Sequence, residues 1–471
     1  MADTPEAMQL SGLESLVMFR NSQGREGRGT LVHITRTMVV FEVYNPYSIV
    51  QLSESLPALN IFRGDRIIYK GKAVVSHILT TGIMIIVSAS LLDSWSDMSG
   101  LAPGGGLKTE TERFIQDWSA GHSIRPEYQL IVSTLHNFLD ELSHWLQEAE
   151  AEVDSNVAID TSEKYLEDFY TEVQEPILPK FLELFSKFEE EAAQVSPDEL
   201  MTHKAFARRE LHPLTLCSPF VHRTYTKPLG YAGDYEMVNM MLRESSIQPL
   251  GTYAKLIDMF HIEASAPEAH RNRIVLLEQR LLQEAERVVA DEERMFTVLN
   301  VGCGPAVEVQ RYIRNESLSN QTSFQLMDFN EETLAYTEGR VNAAITESGN
   351  KPVIKFTHKS IDELLKDAHQ KSLQFSDNFD MVYCAGLFDY FSDHICKRLV
   401  ALFYSWIRPG GLVTVTNVHS RNPSRHHMEH LLEWYLVYRD ENDMSGLAPK
   451  GTKSQIACDE TGVNVFLDIR K

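Results

Sequence analysis

From Met295 to Lys471, short β-branched and apolar runs alternate with helical stretches. No other feature of the chain restricts its fold as strongly. Thr297–Val301, Phe324–Asp328, Val353–Thr357, Phe379–Cys384, Leu412–Asn417 and Val463–Ile469 read as strands. Val307–Arg314, Glu331–Val341 and Ile395–Ile407 read as helices between them. This alternation predicts an α/β fold, a doubly wound parallel sheet with helices on both faces. Open sheets of that kind bind ligands outside the carboxyl ends of their strands.

Those ends carry the informative residues. The first strand runs into Asn300-Val301-Gly302-Cys303-Gly304-Pro305-Ala306. Gly302 and Gly304 allow a tight turn and a close ligand approach. A dinucleotide fingerprint would place a third Gly at 307, and Val307 stands there, so a ligand without a pyrophosphate is expected. The second strand ends in Met327-Asp328-Phe329, where a carboxylate can accept hydrogen bonds from two ribose hydroxyls. Lys359-Ser360-Ile361-Asp362 offers an adenine a polar edge and an apolar face. Tyr383-Cys384-Ala385-Gly386-Leu387-Phe388-Asp389-Tyr390 brings small residues and then aromatics to the cleft. Arg408-Pro409-Gly410-Gly411 is a turn before the fifth strand.

Together these segments resemble the class I S-adenosylmethionine-dependent methyltransferases, across roughly residues 295–471. The resemblance implies a seven-stranded Rossmann-like domain and S-adenosyl-L-methionine as cofactor. It also implies cofactor contacts from Asn300, Gly302, Cys303, Gly304, Pro305, Asp328, Phe329, Ser360, Ile361, Cys384, Ala385 and Gly386. The chain departs from the pattern at Ala306, where many members carry a third Gly, and at Ser360, where Asp is common.

Residues 107–294 are expected to be helical, with Leu130, Leu135, Phe138, Leu139, Leu142 and Leu146 forming one apolar stripe. Leu211–Glu236 interrupts this pattern with Pro213, Pro219, Pro228, Gly230 and Gly233, and reads as a lid or substrate wall. Its core, Thr226-Lys227-Pro228-Leu229-Gly230-Tyr231-Ala232-Gly233-Asp234-Tyr235, resembles the bacterial 3-hydroxypalmitic acid methyl ester synthases. So does Asn417-Val418-His419-Ser420-Arg421-Asn422-Pro423, with a helix expected around Trp434-Tyr435. The resemblance implies methylation of the carboxylate of a 3-hydroxy fatty acid. A carboxylate is ionised at pH 7 and needs no general base. His222, Arg223, Tyr231, Tyr235 and His419 are the candidates to hold it. A hydroxyl acceptor would need a base, with His419 or Asp389 in that role. The alternatives are a phenol or amine acceptor, or a non-catalytic signalling module.

Residues 1–96 carry short β-branched runs punctuated by Gly64, Gly71 and Gly82, the pattern of a small barrel. Arg66–Tyr69, Lys72–Leu79 and Ile83–Ala89 are expected as separate strands. Arg25-Glu26-Gly27-Arg28-Gly29-Thr30 followed by His33-Ile34-Thr35 resembles a PilZ-type barrel. The residues that would complete its cyclic di-GMP motif are replaced, so that ligand is not expected. Pro103–Gly106 reads as a linker, and Asp97–Pro103 recurs identically at Asp443–Pro449.

Charge and composition narrow the partners. There are 44 Lys+Arg against 66 Asp+Glu, a net charge of −22, which argues against non-specific nucleic-acid binding. Residues 140–199 hold 18 acids and three bases, a balance of −15. That stretch reads as a solvated helical face, with a surface for a basic partner as the alternative; a homo-oligomer is a further expectation for the chain. No apolar run is long enough to span a bilayer. The five scattered cysteines contain no CxxC pair, which suits a reducing cytoplasm. Cys303 and Cys384 are expected to be packing residues. His426-His427-Met428-Glu429-His430 lacks the HExxH spacing and reads as a solvated helix start, so no metal is expected.

Overall fold

A computed structural model describes residues 15–35, 37–43, 50–63, 66–80, 84–93, 108, 111–112, 115, 124–156, 162–197, 199–369 and 378–471. The linker at Pro103–Gly106 and the first copy of the repeat lie outside these residues.

β1 (Ser15–Arg20), β2 (Glu26–Ile34), β3 (Met38–Val43), β4 (Ser55–Arg63), β5 (Arg66–Thr80) and β6 (Ile85–Leu91) form a closed antiparallel barrel in the order β1-β2-β3-β6-β5-β4. Strict alternation along β2 and β3 sends Leu31, Val39, Phe41 and Val43 inward. β5 is one continuous strand where two were expected. Gly71 lies inside it, because a Cβ there would meet Asp93 and the Tyr69 hydroxyl at 2.7–2.8 Å.

The helical region contains α1 (Pro126–Asn156), α2 (Ser162–Ala192), α3 (Leu200–Thr215), α4 (Pro219–Thr226), α5 (Tyr235–Met241), α6 (Gly251–Ile262) and α7 (Ser265–Glu286). Leu135, Leu139, Leu142 and Leu146 of α1 are buried against Phe181, Leu184, Phe185 and Phe188 of α2. Leu130 departs from the expected stripe and is 69% exposed. The Pro-rich interruption is largely helical. Pro213 sits within α3 and Pro219 opens α4, where any missing N–H is least costly. A short turn at 216–218 joins α3 to α4, and the stretch 227–234 between α4 and α5 is a loop.

The third region holds β7 (Phe296–Val301), α8 (Val307–Asn315), β8 (Thr322–Asp328), α9 (Glu331–Ser348), β9 (Val353–His358), α10 (Ile361–His369), β10 (Phe379–Cys384), α11 (Asp393–Trp406), β11 (Ile407–Val418), α12 (Arg425–Leu431), α13 (Glu441–Ser445), β12 (Lys453–Cys458) and β13 (Asn464–Arg470). The seven strands run in the order β12-β13-β11-β10-β7-β8-β9. β13 is antiparallel to both neighbours, and the pairs from β11 to β9 are parallel. This is the doubly wound sheet that the alternation predicts, with the seven strands that the resemblance implies and an antiparallel β13 at one side. Every residue of β10 is buried, as a central strand covered on both faces requires. The strand order reverses between β7 and β10, and the crevice opens there.

No helix forms around Trp434-Tyr435. α12 stops at Leu431 and residues 433–440 have no regular secondary structure. Glu433 takes a left-handed backbone (φ 50) at the break. Its buried carboxylate pairs with Arg208 and accepts a hydrogen bond from the Tyr435 hydroxyl at 2.5 Å. The second repeat copy forms α13 and the turn after it, closed at its start by an Asp440/Asp443 capping box.

The barrel docks on both other regions. Ser55 N donates to Gly230 O (2.6 Å), Ser53 Oγ to Tyr435 O (2.9 Å) and Lys72 Nζ to Thr226 O (2.5 Å). Arg25 pairs with Asp362 and, at 3.2 Å, with Glu363. Gly230 (φ 87) is needed at the contact, since a Cβ would lie 2.7 Å from the Ser22 Cβ.

Candidate functional site

A cavity opens at the carboxyl ends of β7, β8 and β10, and the barrel and the helical region complete its walls. Its floor is the turn after β7. Gly302 (φ 69) and Gly304 (φ 51) take left-handed backbones, as does Ala306 (φ 50). The Gly302 and Cys303 amides donate to Met327 O at 2.8 and 2.9 Å, which ties the turn to β8. A Cβ on Gly304 would meet nothing within 4 Å, so the turn faces open space. Beneath it, Asn300 Nδ2 donates to the Tyr383 hydroxyl (2.9 Å) and to Glu308 Oε1 (3.1 Å). Tyr383 in turn donates to Glu308 (2.7 Å).

Asp328 is 7% exposed. Its Oδ2 accepts from Gly304 N (3.1 Å) and its Oδ1 from Asn330 N (3.0 Å). Burial raises its carboxyl above the usual range. Phe329 packs on Tyr231 with ring centroids 5.1 Å apart. Pro305, Phe329, Ile361, Ala385 and Gly386 also line the cavity. Two expected contacts do not. Ser360 caps α10 instead, exchanging hydrogen bonds with Glu363. Cys384 ends β10 with its side chain fully buried in the core below, and burial pushes its thiol up.

The expected acceptor-binding residues divide. Tyr231, Tyr235 and Asp389 line the cavity. Burial pushes Tyr235 up to about 12, helped by the carboxylate of Glu332, to which it donates at 2.9 Å. Asp389 accepts from Val418 N (2.6 Å), and burial raises its carboxyl. His222, Arg223 and His419 are not in the wall. His222 is exposed on α4. Arg223 is committed to Asp234, the N-cap of α5, with Nε 2.9 and 3.0 Å from its two oxygens. His419 is 1% exposed and donates from Nε2 to Glu441 at 2.9 Å. It follows Val418, which does line the cavity, and successive residues leaving a strand point opposite ways.

His419, Glu441 and Cys458 place ligand-type atoms within 4.8 Å of one another. The Arg421 amide donates to His419 Nδ1 at 2.9 Å. That leaves the single proton of a neutral imidazole on Nε2, facing Glu441, where a metal would need a lone pair. The expected solvated histidines of α12 are largely internal. His427 and His430 are 6% and 0% exposed, and His430 Nδ1 lies 2.8 Å from the Tyr128 hydroxyl.

Several wall residues give no motif in the sequence. Arg273 of α7 is 6% exposed, and its guanidinium packs on Gly386, where a Cβ would meet it at 2.9–3.2 Å. Its Nη2 lies 2.8 and 3.0 Å from the two ring nitrogens of His270. Its Nε has no partner, and no carboxylate among the described residues pairs with it. Burial lowers its pKa, against the pull of Asp389 and Glu308. Tyr390 donates to Ala232 O (3.2 Å) and accepts from Trp434 Nε1 (3.0 Å), which fixes the wall opposite. His261 and His427 form part of the helical wall, and Gln23, Gln51 and Leu52 come from the barrel.

No family model matches the chain, and no curated protein matches it. Among solved structures it is similar to a possible exported protein from Bordetella parapertussis (TM-score 0.41, 15% identity, covering 53% of this chain and 86% of that one). It is also similar to a magnesium protoporphyrin IX methyltransferase from Synechocystis with bound SAH (TM-score 0.33, 9% identity, 57% and 99%). A third is the CurJ carbon methyltransferase (TM-score 0.36, 10% identity, 70% and 98%).

Proposed function

We propose that the chain is an S-adenosylmethionine-dependent methyltransferase whose acceptor is the carboxylate of a 3-hydroxy fatty acid. The observation that carries this is one cavity shared by the Gly302–Gly304 turn, Asp328 and Arg273. Each Asp328 oxygen accepts one backbone N–H and keeps a second lone pair, so two ribose hydroxyls fit it. Gly304 leaves open space where a cofactor would lie against backbone. S-adenosylmethionine, when bound, supplies a methyl group already activated by its sulfonium.

The chain's own part is positioning. Arg273 holds an anion, from the acceptor or from the methionyl end of the cofactor, without taking its charge away. Tyr390, Trp434 and Tyr231 wall the reacting region against water. Alignment of this kind lowers a barrier by up to about 7–11 kcal/mol in favourable cases. A carboxylate acceptor needs no base, which agrees with His419 and Asp389 being engaged by Glu441 and Val418 N.

Calorimetric titration with S-adenosylmethionine, repeated with 3-hydroxypalmitate, tests the reading. Micromolar cofactor binding that tightens with the acid, and transfer of labelled methyl to it, are expected. Absence of cofactor binding at millimolar concentration overturns the methyltransferase. Cofactor binding that the acid does not affect, with no transfer to it, overturns the acceptor.

A further inference from the structure

Two imidazoles in the cavity wall have no part in the reading above. His261 is 3% exposed and His427 6%, and their Nε2 atoms lie 3.2 Å apart. The chain decides which nitrogen carries each proton. His261 Nδ1 is 2.6 Å from Ile257 O, and a carbonyl only accepts. His261 is therefore protonated at Nδ1 and bears a lone pair at Nε2. Two lone pairs would repel at 3.2 Å, so His427 carries its proton on Nε2 and donates it to His261. His427 Nδ1 is left as a bare lone pair, with no partner among the described residues.

Both rings are neutral, since burial pushes His261 down to about 4 and His427 well below its usual range. Both are also held in place. Phe185 packs edge-on against His427 at 5.1 Å between centroids. Glu189 accepts from the His426 and His427 amides at 2.9 and 2.6 Å, which pins the start of α12. A fixed lone pair repels a carboxylate and leaves a cation no charge to pair with. It suits a hydroxyl, which donates. Arg273, in the same cavity, suits the acid.

We propose that His427, oriented by His261, determines acceptor specificity by accepting a hydrogen bond from a hydroxyl of the acceptor through Nδ1. This rests on the methyl-transfer reading and assigns the group that recognises the substrate's second oxygen function. An acceptor without the hydroxyl would leave that nitrogen unpaired inside the filled cavity, and sites of that kind discriminate strongly.

The test uses the full-length protein with a matched pair, 3-hydroxydecanoate and decanoate. The wild type is expected to favour the hydroxylated acid at least about 10-fold in kcat/KM. His427→Phe is expected to bring the ratio to about one. His261→Gln, whose side-chain oxygen can still accept from His427 Nε2, is expected to keep most of the preference. An unchanged ratio in a folded His427→Phe protein overturns the proposal. A second readout does not depend on turnover. In 15N-histidine spectra of the wild type with S-adenosylhomocysteine, His427 is expected to be unprotonated at Nδ1. That resonance should move with 3-hydroxydecanoate and stay with decanoate. A protonated Nδ1, or equal shifts with both acids, overturns the proposal whether or not the His427 variant folds. Failure of the wild type to methylate either acid overturns the acceptor in the methyl-transfer reading, and the spectra still decide the subsite.

Discussion

Asp328→Asn isolates the cofactor-binding argument with one atom exchanged. The carboxylate accepts one backbone N–H on each oxygen, from Gly304 and Asn330, and keeps one lone pair on each for a ribose hydroxyl. An amide retains one accepting oxygen. Its NH2 then faces a backbone N–H that has lost its acceptor, and one ribose hydroxyl loses a charged partner. A hydrogen bond to a charged group contributes about 1.5–3 kcal/mol. The expected loss is about 2–3 kcal/mol, or roughly 30- to 150-fold in Kd for S-adenosylhomocysteine. Isothermal titration reads it directly, and a melting curve checks that the fold survives. The carboxyl must be ionised to accept from both hydroxyls, and burial raises its pKa. Wild-type affinity is therefore expected to weaken as pH falls through that raised value, and the amide variant to show no such step. A folded variant that binds within about threefold of wild type would refute the placement of the ribose.

Other expectations follow from single contacts. Gly302→Ala puts a Cβ at 3.2 Å from Leu387 Cδ2 on a backbone of φ 69, so a loss of about 1–2 kcal/mol in stability is expected, measured by urea unfolding. Arg439, 1% exposed, donates to Phe388 O (2.9 Å), Phe391 O (2.6 Å) and Asn417 Oδ1 (2.7 Å). Arg439→Met leaves Asn417 Oδ1 unpaired and strips the charged donor from Phe388 O and Phe391 O, which keep only Phe391 N and Cys396 Sγ, and is expected to cost about 3–5 kcal/mol by the same assay. Glu54 is raised by burial to about 7 from 4.5, so the folded state holds its proton more tightly than the unfolded chain. The stability it contributes is full below pH 4.5 and is lost as pH rises to about 7, by about 3 kcal/mol. Glu189 is raised to the same value, so Glu54→Gln should reduce the fall in Tm from pH 5 to 7 without abolishing it, and equal slopes would contradict the burial argument.

The doubly wound sheet was legible because its central strands are short and mostly apolar, and runs such as Val298–Val301 and Phe379–Cys384 recur between longer helical stretches. The edge strand β12 was not. Lys453-Ser454-Gln455 is exposed, and polar residues at an edge give no apolar run. Leu130 shows the limit of a helical stripe: Tyr128, Ile131 and Val132 beside it are buried, and Leu130, five residues before Leu135 rather than three or four, falls on the opposite face. At the site, residues next to a strand end on the chain were recognised as a group, but their directions were not. Val418 faces the cavity and His419 faces Glu441, a distinction of one residue that pleating makes and composition does not. Arg273 lay hidden in a helix that also carries Ile274, Leu277 and Leu281. His261 and His427 are 166 positions apart, so only folding pairs them.

The barrel's place in the wall has a consequence for timing. Gln23, Gln51 and Leu52 belong to two loops that Glu54 ties together through Ser22 and the Gln51 amide. A molecule leaving on that side must part the barrel from Gly230, Tyr435 and the Arg25–Asp362 pair. Arg25 is 30% exposed, so salt weakens its share of the latch. Ligand exchange past the barrel is then expected to quicken as ionic strength rises, while events deeper in the cavity keep their pace. On that expectation the small domain is a clock on exchange, set by the solvent outside.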